Sequence, residues 1–315
     1  LVTGVQTCAL PIYGEKWQLL KLPNGEIVRS LTHDGNNRIY VGGYDQFGYI
    51  ELDERGVPVF TDLTEKFNTH LDGENFADVW EVLVTPGGVY FQAINHLFRY
   101  DPATTALQLW RHEGRFGAMA FMKGEMFVQF RGEGLKRLQD NDWVLVPNTE
   151  ALSQLVYGFL PINEQEYLIY GAERQWQKLT PDGVASFKMP LTFPDSERFV
   201  SGDVTADGTL VLATQAGVLY FYDPGTGSYQ LVKVARGFIP DLDVGSDGII
   251  LTVGDEAFTA VRYPSPWTLV DEDSGISGSV SWVTSSDDVW YALSSGGVYL
   301  STSPGQFEQI GRAHV

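Results

Sequence analysis

Aromatic rings, amides and guanidinium groups recur along this chain directly after short apolar segments. The residues at these positions, which also include one glutamate, are Tyr44, Gln46, Phe47, Asn95, His96, Arg131, Glu133, Arg174, Gln175 and Trp176. Ring faces stack on the apolar faces of sugars, and amide and guanidinium groups donate hydrogen bonds to hydroxyls. If these loops lie on one rim of the fold, the pattern predicts a binding site for a carbohydrate or another small ligand. The predicted binding residues are Tyr44, Gln46, Phe47, His96, Arg131, Arg174 and Trp176. The alternative is that exposed loops are polar in any protein, and that Phe47 and Trp176 pack between sheets.

The histidines and the acidic turns do not indicate catalysis or a metal centre. His33, His70, His96 and His112 have no HxxxH or HxH spacing and are expected to be solvated loop residues. Segments 241–245 and 271–275 resemble the start of a calcium loop, but no carboxylate follows at the distance of the bidentate ligand. They are interpreted as turn carboxylates, with calcium as the alternative. We therefore predict no catalytic residue, no metal site and no cofactor.

One strand-like element is repeated through the chain. It occurs at 38–43, 88–93, 125–130, 166–171, 209–214, 249–254 and 288–293. Intervals near 40 residues in a chain of strand patterns are typical of propeller arrays. Each sheet alone would leave an apolar face bare, and stacking sheets round a ring buries it. The sequence therefore predicts an all-β β-propeller of about seven four-stranded blades, with six to eight compatible with the spacing.

The repeat also places the remaining strands. A first strand precedes each element and often ends in an Asp-Gly turn, as at Asp34-Gly35. Third and fourth strands follow, and the last two fourth strands are expected at 267–272 and 306–309. In a propeller, the loops between second and third strands and the connections between blades share one face, so the candidate binding residues should meet there. The long connection 65–78 is expected to form a lid or a partner-contacting loop.

The two ends of the chain are predicted not to be native protein. One choice of codons for Val2–Ile12 gives a DNA strand whose reverse complement encodes Ile310–Val315. This inverted repeat resembles a sequencing adapter, and such segments are set aside before the fold is considered. We therefore assign 1–12 and 310–315 to translated adapter sequence, and 13–309 to a propeller domain cut from something longer. Its first strand, within 14–21, is expected to be the outer strand of a preceding blade.

Composition limits the partners. The chain has 21 Lys and Arg against 40 Asp and Glu, for a net charge of −19. A field of this sign repels phosphate backbones and anionic lipid, so neither nucleic acid nor a membrane surface is an expected partner. The only cysteine, Cys8, lies in the predicted adapter segment, which leaves no disulfide framework and no thiol nucleophile in 13–309.

The front of the chain resembles the two-component regulator propeller family. In 13–56, an outer strand containing Trp17 is followed by VRSL at 28–31, a polar turn and an aromatic-containing strand that ends in Gly42-Gly43. The stretch 76–101 continues this pattern, and from about 157 onward only the spacing and the turn types match.

The resemblance implies an extracytoplasmic sensor. Propellers of such receptors lie outside the inner membrane and are followed by an immunoglobulin-like domain, a transmembrane helix and a cytoplasmic output such as a histidine kinase or diguanylate cyclase. The implied role is periplasmic binding of a ligand, often a carbohydrate, without catalysis. The parent is then membrane-anchored, and a homodimer formed through it is compatible with this role. A polysaccharide-acting propeller enzyme, hydrolase or lyase, is the alternative function, and an intracellular scaffold propeller is a third.

Overall fold

The structure is a computed structural model, and it describes most of the chain. The described residues are 8–12, 16–172, 176–189, 197–235, 237–254, 258–263, 275–286, 289–303 and 306–311. Two compact units can be distinguished: the first is Leu1–Ser246 with Leu251–Thr259, and the second is Asp247–Ile250 with Ala260–Val315. The candidate site described below lies entirely in the first unit.

Antiparallel sheets of consecutive strands make up the first unit. Sheet one contains β3 (Val28–His33), β4 (Ile39–Gly43), β5 (Phe47–Leu52) and β6 (Pro58–Asp62). Sheet two contains β7 (Glu81–Thr85), β8 (Gly88–Gln92), β9 (His96–Tyr100) and β10 (Leu107–Arg111). Sheet three contains β11 (Phe116–Met122), β12 (Glu125–Phe130), β13 (Gly134–Gln139) and β14 (Asp142–Leu145). Sheet four contains β15 (Val156–Pro161), β16 (Tyr167–Gly171), β17 (Gln177–Thr180) and β18 (Gly183–Ser186). Sheet five contains β19 (Phe199–Val204), β20 (Leu210–Thr214), β21 (Val218–Tyr222) and β22 (Tyr229–Lys233).

The remaining strands form three sheets. Sheet six, at the division between the units, has three described strands, β23 (Asp241–Val244), β24 (Ile249–Val253) and β25 (Phe258–Arg262). Sheet seven contains β26 (Val280–Ser286), β27 (Val289–Ser294), β28 (Gly297–Ser303) and β29 (Gln306–Gly311). A separate two-stranded sheet pairs β1 (Cys8–Ile12) with β2 (Lys16–Leu20).

The predicted repeat is confirmed in all seven sheets. Each predicted element coincides with the second strand of a sheet, from β4 to β27, and the predicted third strands are β5, β9, β13, β17, β21, β25 and β28. The fourth strand expected at 267–272 lies outside the described residues. The predicted Asp34-Gly35 turn is present, with a φ of 76° at Gly35 and the Asp34 carboxylate accepting from the Asn36 amide at 2.8 Å. That 1–12 and 310–315 are adapter sequence stays a prediction.

Stacking of the sheets explains which strands are buried. In the first unit the first strands contact one another in the order β3, β7, β11, β15, β19, β23. The second strands β8 and β20 are buried along their whole length because neighbouring sheets cover both faces, whereas the outermost strand β22 is exposed throughout. Each sheet therefore completes the core of the next, as the repeat predicts.

Polar side chains tie each sheet to its neighbour along these inner strands. Between sheets one and two, the Ser30 hydroxyl donates to the Val79 carbonyl at 2.7 Å. Between sheets two and three, the Met119 amide donates to Glu81 Oε2 at 3.1 Å. In sheet three, Gln129 Oε1 accepts from the Val156 amide of sheet four at 2.8 Å. These bonds satisfy backbone groups that face another sheet and cannot join a ladder.

The long connection after sheet one folds inward, which corrects the expectation of a lid. It contains α1 (Thr64–Leu71), whose residues Phe67 and Leu71 are buried in the core between sheets one and two. The Thr64 hydroxyl fixes the start of the helix by accepting from the Phe47 amide at 2.8 Å. In the described part of the chain no helix is long and apolar enough to span a membrane.

The first calcium-like segment is also corrected. Asp241 and Asp243 belong to strand β23 and not to a turn, with Leu242 buried between them. Period-two alternation places both carboxylates on the same side of the strand. The second segment falls on 271–274, outside the described residues.

Candidate functional site

Strand direction brings the functional loops of the first unit to one end of the sheets. Because each sheet is a four-stranded antiparallel meander, its loop between second and third strands lies at the same end as its connection to the next sheet. We call this end the upper face. It carries loops 44–46, 93–95 and 131–133, and the connections 63–80 and 112–115.

An open cavity of about 440 Å³ lies on the upper face beside sheets two and three. Its lining residues come from the connection after sheet one, the loop between β8 and β9, and the end of β10 with the connection after it. They are Glu74, Asn75, Asn95, His96, Arg111, His112 and Glu113. Carboxylates, amides, imidazoles and a guanidinium thus face one volume, a combination that offers both donors and acceptors.

Backbone hydrogen bonds hold the segments of this lining together. The His112 amide donates to the Asn95 carbonyl at 3.0 Å, and the Phe116 amide donates to the Ile94 carbonyl at 2.8 Å. The Ala93 amide closes the loop by donating to the His96 carbonyl at 2.9 Å. The lining is therefore anchored on strands at both sides.

His96 and Arg111 converge on a single carboxylate in the cavity. Glu74 Oε2 lies 2.8 Å from Arg111 Nε and 3.2 Å from His96 Nε2. The hydrogen bonds from Arg111 and then from His96 lower the pKa of Glu74, so its carboxylate stays ionised at neutral pH. The other His96 nitrogen lies 2.8 Å from Asn95 Oδ1, and the imidazole stacks on the ring of Phe98, with 6.0 Å between centroids.

His112 is the second enclosed imidazole of the cavity. Its side chain is only 10% exposed and packs against the rings of Phe116 and Phe130. Its Nδ1 lies 3.4 Å from Glu133 Oε1, and its Nε2 has no hydrogen-bond partner in the described part of the chain. The prediction of solvated loop histidines is thus wrong for His96 and His112, because both rings pack on aromatic core residues.

Of the described residues predicted to bind a ligand, only His96 lines this cavity. Tyr44 is 41% exposed on its loop, and Arg131 is exposed at the upper end of sheet three. Gln46 is buried and donates from Nε2 to Asp62 at 2.6 Å, so it serves to hold its own hairpin. Arg174 lies outside the described residues.

Phe47 and Trp176 have packing roles in this structure. Phe47 has no exposed surface, and its ring contacts those of Phe91 and Phe98 at centroid distances of 4.5 and 4.7 Å. Trp176 is partly buried and packs against Phe199 at 5.0 Å. The packing interpretation, given above as the alternative for both residues, describes their contacts.

Most cavity residues outside the predicted binding set come from the connections between sheets, and the exceptions are Asn95 in a hairpin loop and Arg111 at the end of β10. Glu74, Asn75 and Glu113 follow no strand-end pattern, so the repeat does not single them out. The useful signal is topological, since these connections share the upper face with the predicted loops. Among the residues that the structure describes, no group of three His, Cys, Asp or Glu side chains could hold a metal ion.

Comparisons with solved structures support the fold. The chain is similar to the WD40 β-propeller domain of Doa1, with a TM-score of 0.61 and 11% identity over 83% of this chain and 87% of that one. It is also similar to the extracellular domain of BT4673 from B. thetaiotaomicron, described once as a one-component and once as a hybrid two-component system. Both of those structures give a TM-score of 0.58 over 90% of this chain, at 14% and 15% identity.

These comparisons establish an all-β fold of the β-propeller type, with seven mostly four-stranded antiparallel sheets. The chain spans about 40% of the length of the BT4673 extracellular domain. No protein-family model matches the sequence, and no curated protein matches it. At identities of this size the likeness concerns the fold alone.

Proposed function

We propose that this chain is a periplasmic sensor propeller of a bacterial receptor, related to the two-component regulator propellers, and that it binds a carbohydrate in the upper-face cavity. The observation that carries the proposal is the cavity itself, where side chains from three separate segments of the chain present polar groups to one volume. The likeness of the fold to the extracellular domain of BT4673 supports the class of protein. In this proposal the propeller does not catalyse a reaction, and a membrane-anchored parent, as a homodimer, passes the signal to its output domain.

The chemistry of the lining suits a polyhydroxylated ligand. Asn75 and Glu113 are exposed, and neither side chain has a hydrogen bond within the described part of the chain. The Asn75 amide can therefore donate to and accept from hydroxyls, and the Glu113 carboxylate can accept from them, without giving up an internal bond. Glu74, Arg111 and His96 form a preorganised part of the lining, since Glu74 is bound to both of the other two side chains.

Replacing both Asn75 and Glu113 by alanine is expected to weaken binding of an oligosaccharide about tenfold or more. Each substitution removes one or two hydrogen bonds to the ligand, and such bonds contribute about 0.5–1.5 kcal/mol each. The probe is chosen by screening the protein against an oligosaccharide array, and the affinities are measured by isothermal titration calorimetry. The melting temperature should not change, because the two side chains make no hydrogen bonds to other described residues.

Asn36→Ala provides the matched control, because Asn36 is an exposed asparagine in the turn between β3 and β4, at the lower end of sheet one. Its affinity should equal that of the unmodified chain. Equal affinities in the Asn75/Glu113 variant would move the site away from this cavity. Turnover of the oligosaccharide, detected by chromatography of the titrated sample, would overturn the proposal in favour of a polysaccharide-acting enzyme.

A further inference from the structure

Two arginines lie directly opposite each other at the upper end of sheet three. The register between β11 and β12 ends at the pair Phe116 and Phe130, and Arg115 and Arg131 are the next residues of the two segments. The Arg131 amide donates to the Arg115 carbonyl at 3.0 Å, which confirms that the pairing continues. Opposite residues of an antiparallel pair emerge on the same side with Cβ atoms about 5 Å apart. The two guanidinium groups therefore start from neighbouring points.

Neither arginine is neutralised by the protein. Within the described residues neither has an ion pair, and the buried Nε of Arg115 has no hydrogen-bond partner. Carboxylates are paired with four other arginines, namely Arg29, Arg38, Arg111 and Arg137. Two glutamates lie two positions from the pair along the chain. Glu133 is already bound to Lys136 and faces His112, and the exposed Glu113 forms no ion pair with either arginine in the described chain.

Such an arrangement is unfavourable in the free protein. Like charges directly opposite each other destabilise a strand pair, and a buried N–H without a partner adds to this. The chain has 40 acidic residues, so carboxylate partners are not scarce. An anion bound between the two guanidinium groups would remove both penalties. Because the chain as a whole carries a charge of −19, an anion can be held only beside cations that no carboxylate neutralises, and in the described chain these two arginines are such cations.

The arginine pair adjoins the cavity. Glu113, in the cavity lining, is two residues before Arg115 in the same connection, which limits their Cα atoms to a separation of about 7 Å. A ligand with hydroxyls in the cavity can therefore extend an anionic substituent to the pair. The planar fork of donors on a guanidinium matches the oxygens of a carboxylate or a sulfate.

We propose that Arg115 and Arg131 form a subsite for an anionic group, carboxylate or sulfate, and that the ligand of the upper-face cavity is an acidic oligosaccharide. This inference rests on the proposed function, since it identifies the class of ligand that the same site binds. It adds a charged anchor to a cavity whose own lining has no unpaired cation in the described chain.

Two probes test the subsite, inorganic sulfate and trigalacturonate, the second compared with its fully methyl-esterified, neutral form. We expect both anions to bind and the neutral ester to bind at least tenfold more weakly than the acid. Arg131→Gln and Arg115→Gln should each weaken the binding of the anions at least tenfold, and Arg131→Lys should retain part of it. Arg55→Gln is the matched control, because Arg55 is an exposed arginine in the turn between β5 and β6 and has no ion pair with any residue that the structure describes. Calorimetry at low ionic strength measures the affinities.

Exposed Arg131 keeps the test valid if the Arg115 variant fails to fold. Equal affinity for trigalacturonate and its ester, unchanged in Arg131→Gln, would overturn the acidic subsite while leaving carbohydrate binding in the cavity intact. Sulfate binding that is lost in the arginine variants, with no oligosaccharide bound, would support the anion subsite and overturn the carbohydrate function. Absence of sulfate binding, or a loss of equal size in Arg55→Gln, would refute the subsite itself.

Discussion

Replacing Phe47 by alanine is expected to destabilise the first unit by about 3–5 kcal/mol, the usual range for a fully buried phenylalanine. The ring has no exposed surface and lies among four others, Phe67, Phe76, Phe91 and Phe98. These belong to α1, to the connection after it and to sheet two, so one side chain joins three elements to sheet one. Its loss leaves a cavity that rigid neighbouring strands cannot fill.

Chemical denaturation at neutral pH measures this effect. Tyr44→Ala is the control, because Tyr44 is an aromatic residue of the same hairpin, three positions earlier and 41% exposed. It should change the free energy of unfolding by less than about 1 kcal/mol. A loss below that value in Phe47→Ala would contradict the role in packing and return Phe47 to the candidates for ligand contact.

The same substitution should also disturb the cavity from below. The His96 imidazole stacks on Phe98, and Phe98 lies 4.7 Å from Phe47 between ring centroids. The packing of the core therefore determines the position and orientation of His96, the one described residue of the predicted binding set that lines the cavity.

The strands were predictable because their signal is local. A second strand such as GVYFQ at 88–92 is buried on both faces, so it reads as an unbroken apolar run between turn residues. The turn at Asp34-Gly35 has a similarly local cause, since glycine adopts the positive φ of 76° without strain. Seven such runs at intervals near 40 residues are enough to predict the class of fold, because each needs only its own strand and turns.

Helix α1 and most of the cavity were not predictable from these signals. The helix has eight residues and buries only Phe67 and Leu71, one turn apart, which is too short a pattern to separate from a loop. Glu74 and Arg111 are 37 positions apart in sequence and meet only because the connection after sheet one folds over the end of β10. Spacing along the chain does not indicate that contact, whereas the topology does, because it places both segments on the upper face.

Glu81 lies on β7, the first strand of sheet two, and burial raises the pKa of its carboxyl group to about 7. The charge of Asp241 on β23 raises it further, and the Met119 amide, which donates to Glu81 Oε2, opposes the shift. The pKa of Asp241 is itself raised by burial.

A raised carboxyl pKa makes stability fall as the pH rises. The folded state binds the proton of Glu81 more tightly than the unfolded state, whose pKa is close to the ordinary value of 4.5. The stabilisation from this proton is therefore complete below about pH 4.5 and is lost as the pH rises through about 7. The shift corresponds to about 3 kcal/mol at most, since Glu81 retains some contact with solvent.

Glu81→Gln is expected to remove this dependence. Glutamine keeps an oxygen that accepts from the Met119 amide but carries no charge, so the variant should be up to about 3 kcal/mol more stable than the unmodified chain at pH 8 and equally stable at pH 4.5. Its amide can also donate to Gln92 Oε1, a buried acceptor on the directly opposite residue that has no partner in the described chain. Urea denaturation at pH 4.5, 6 and 8 gives the three free energies.

Glu54→Gln separates this effect from a general change in net charge, because Glu54 is an exposed glutamate in the turn between β5 and β6. Both variants remove one negative charge from a chain of net charge −19, so any shared gain reflects reduced overall repulsion. Only Glu81→Gln should flatten the slope between pH 4.5 and 8. A parallel slope in the two variants would show that Glu81 titrates normally, and that the inner strands leave its carboxylate fully hydrated.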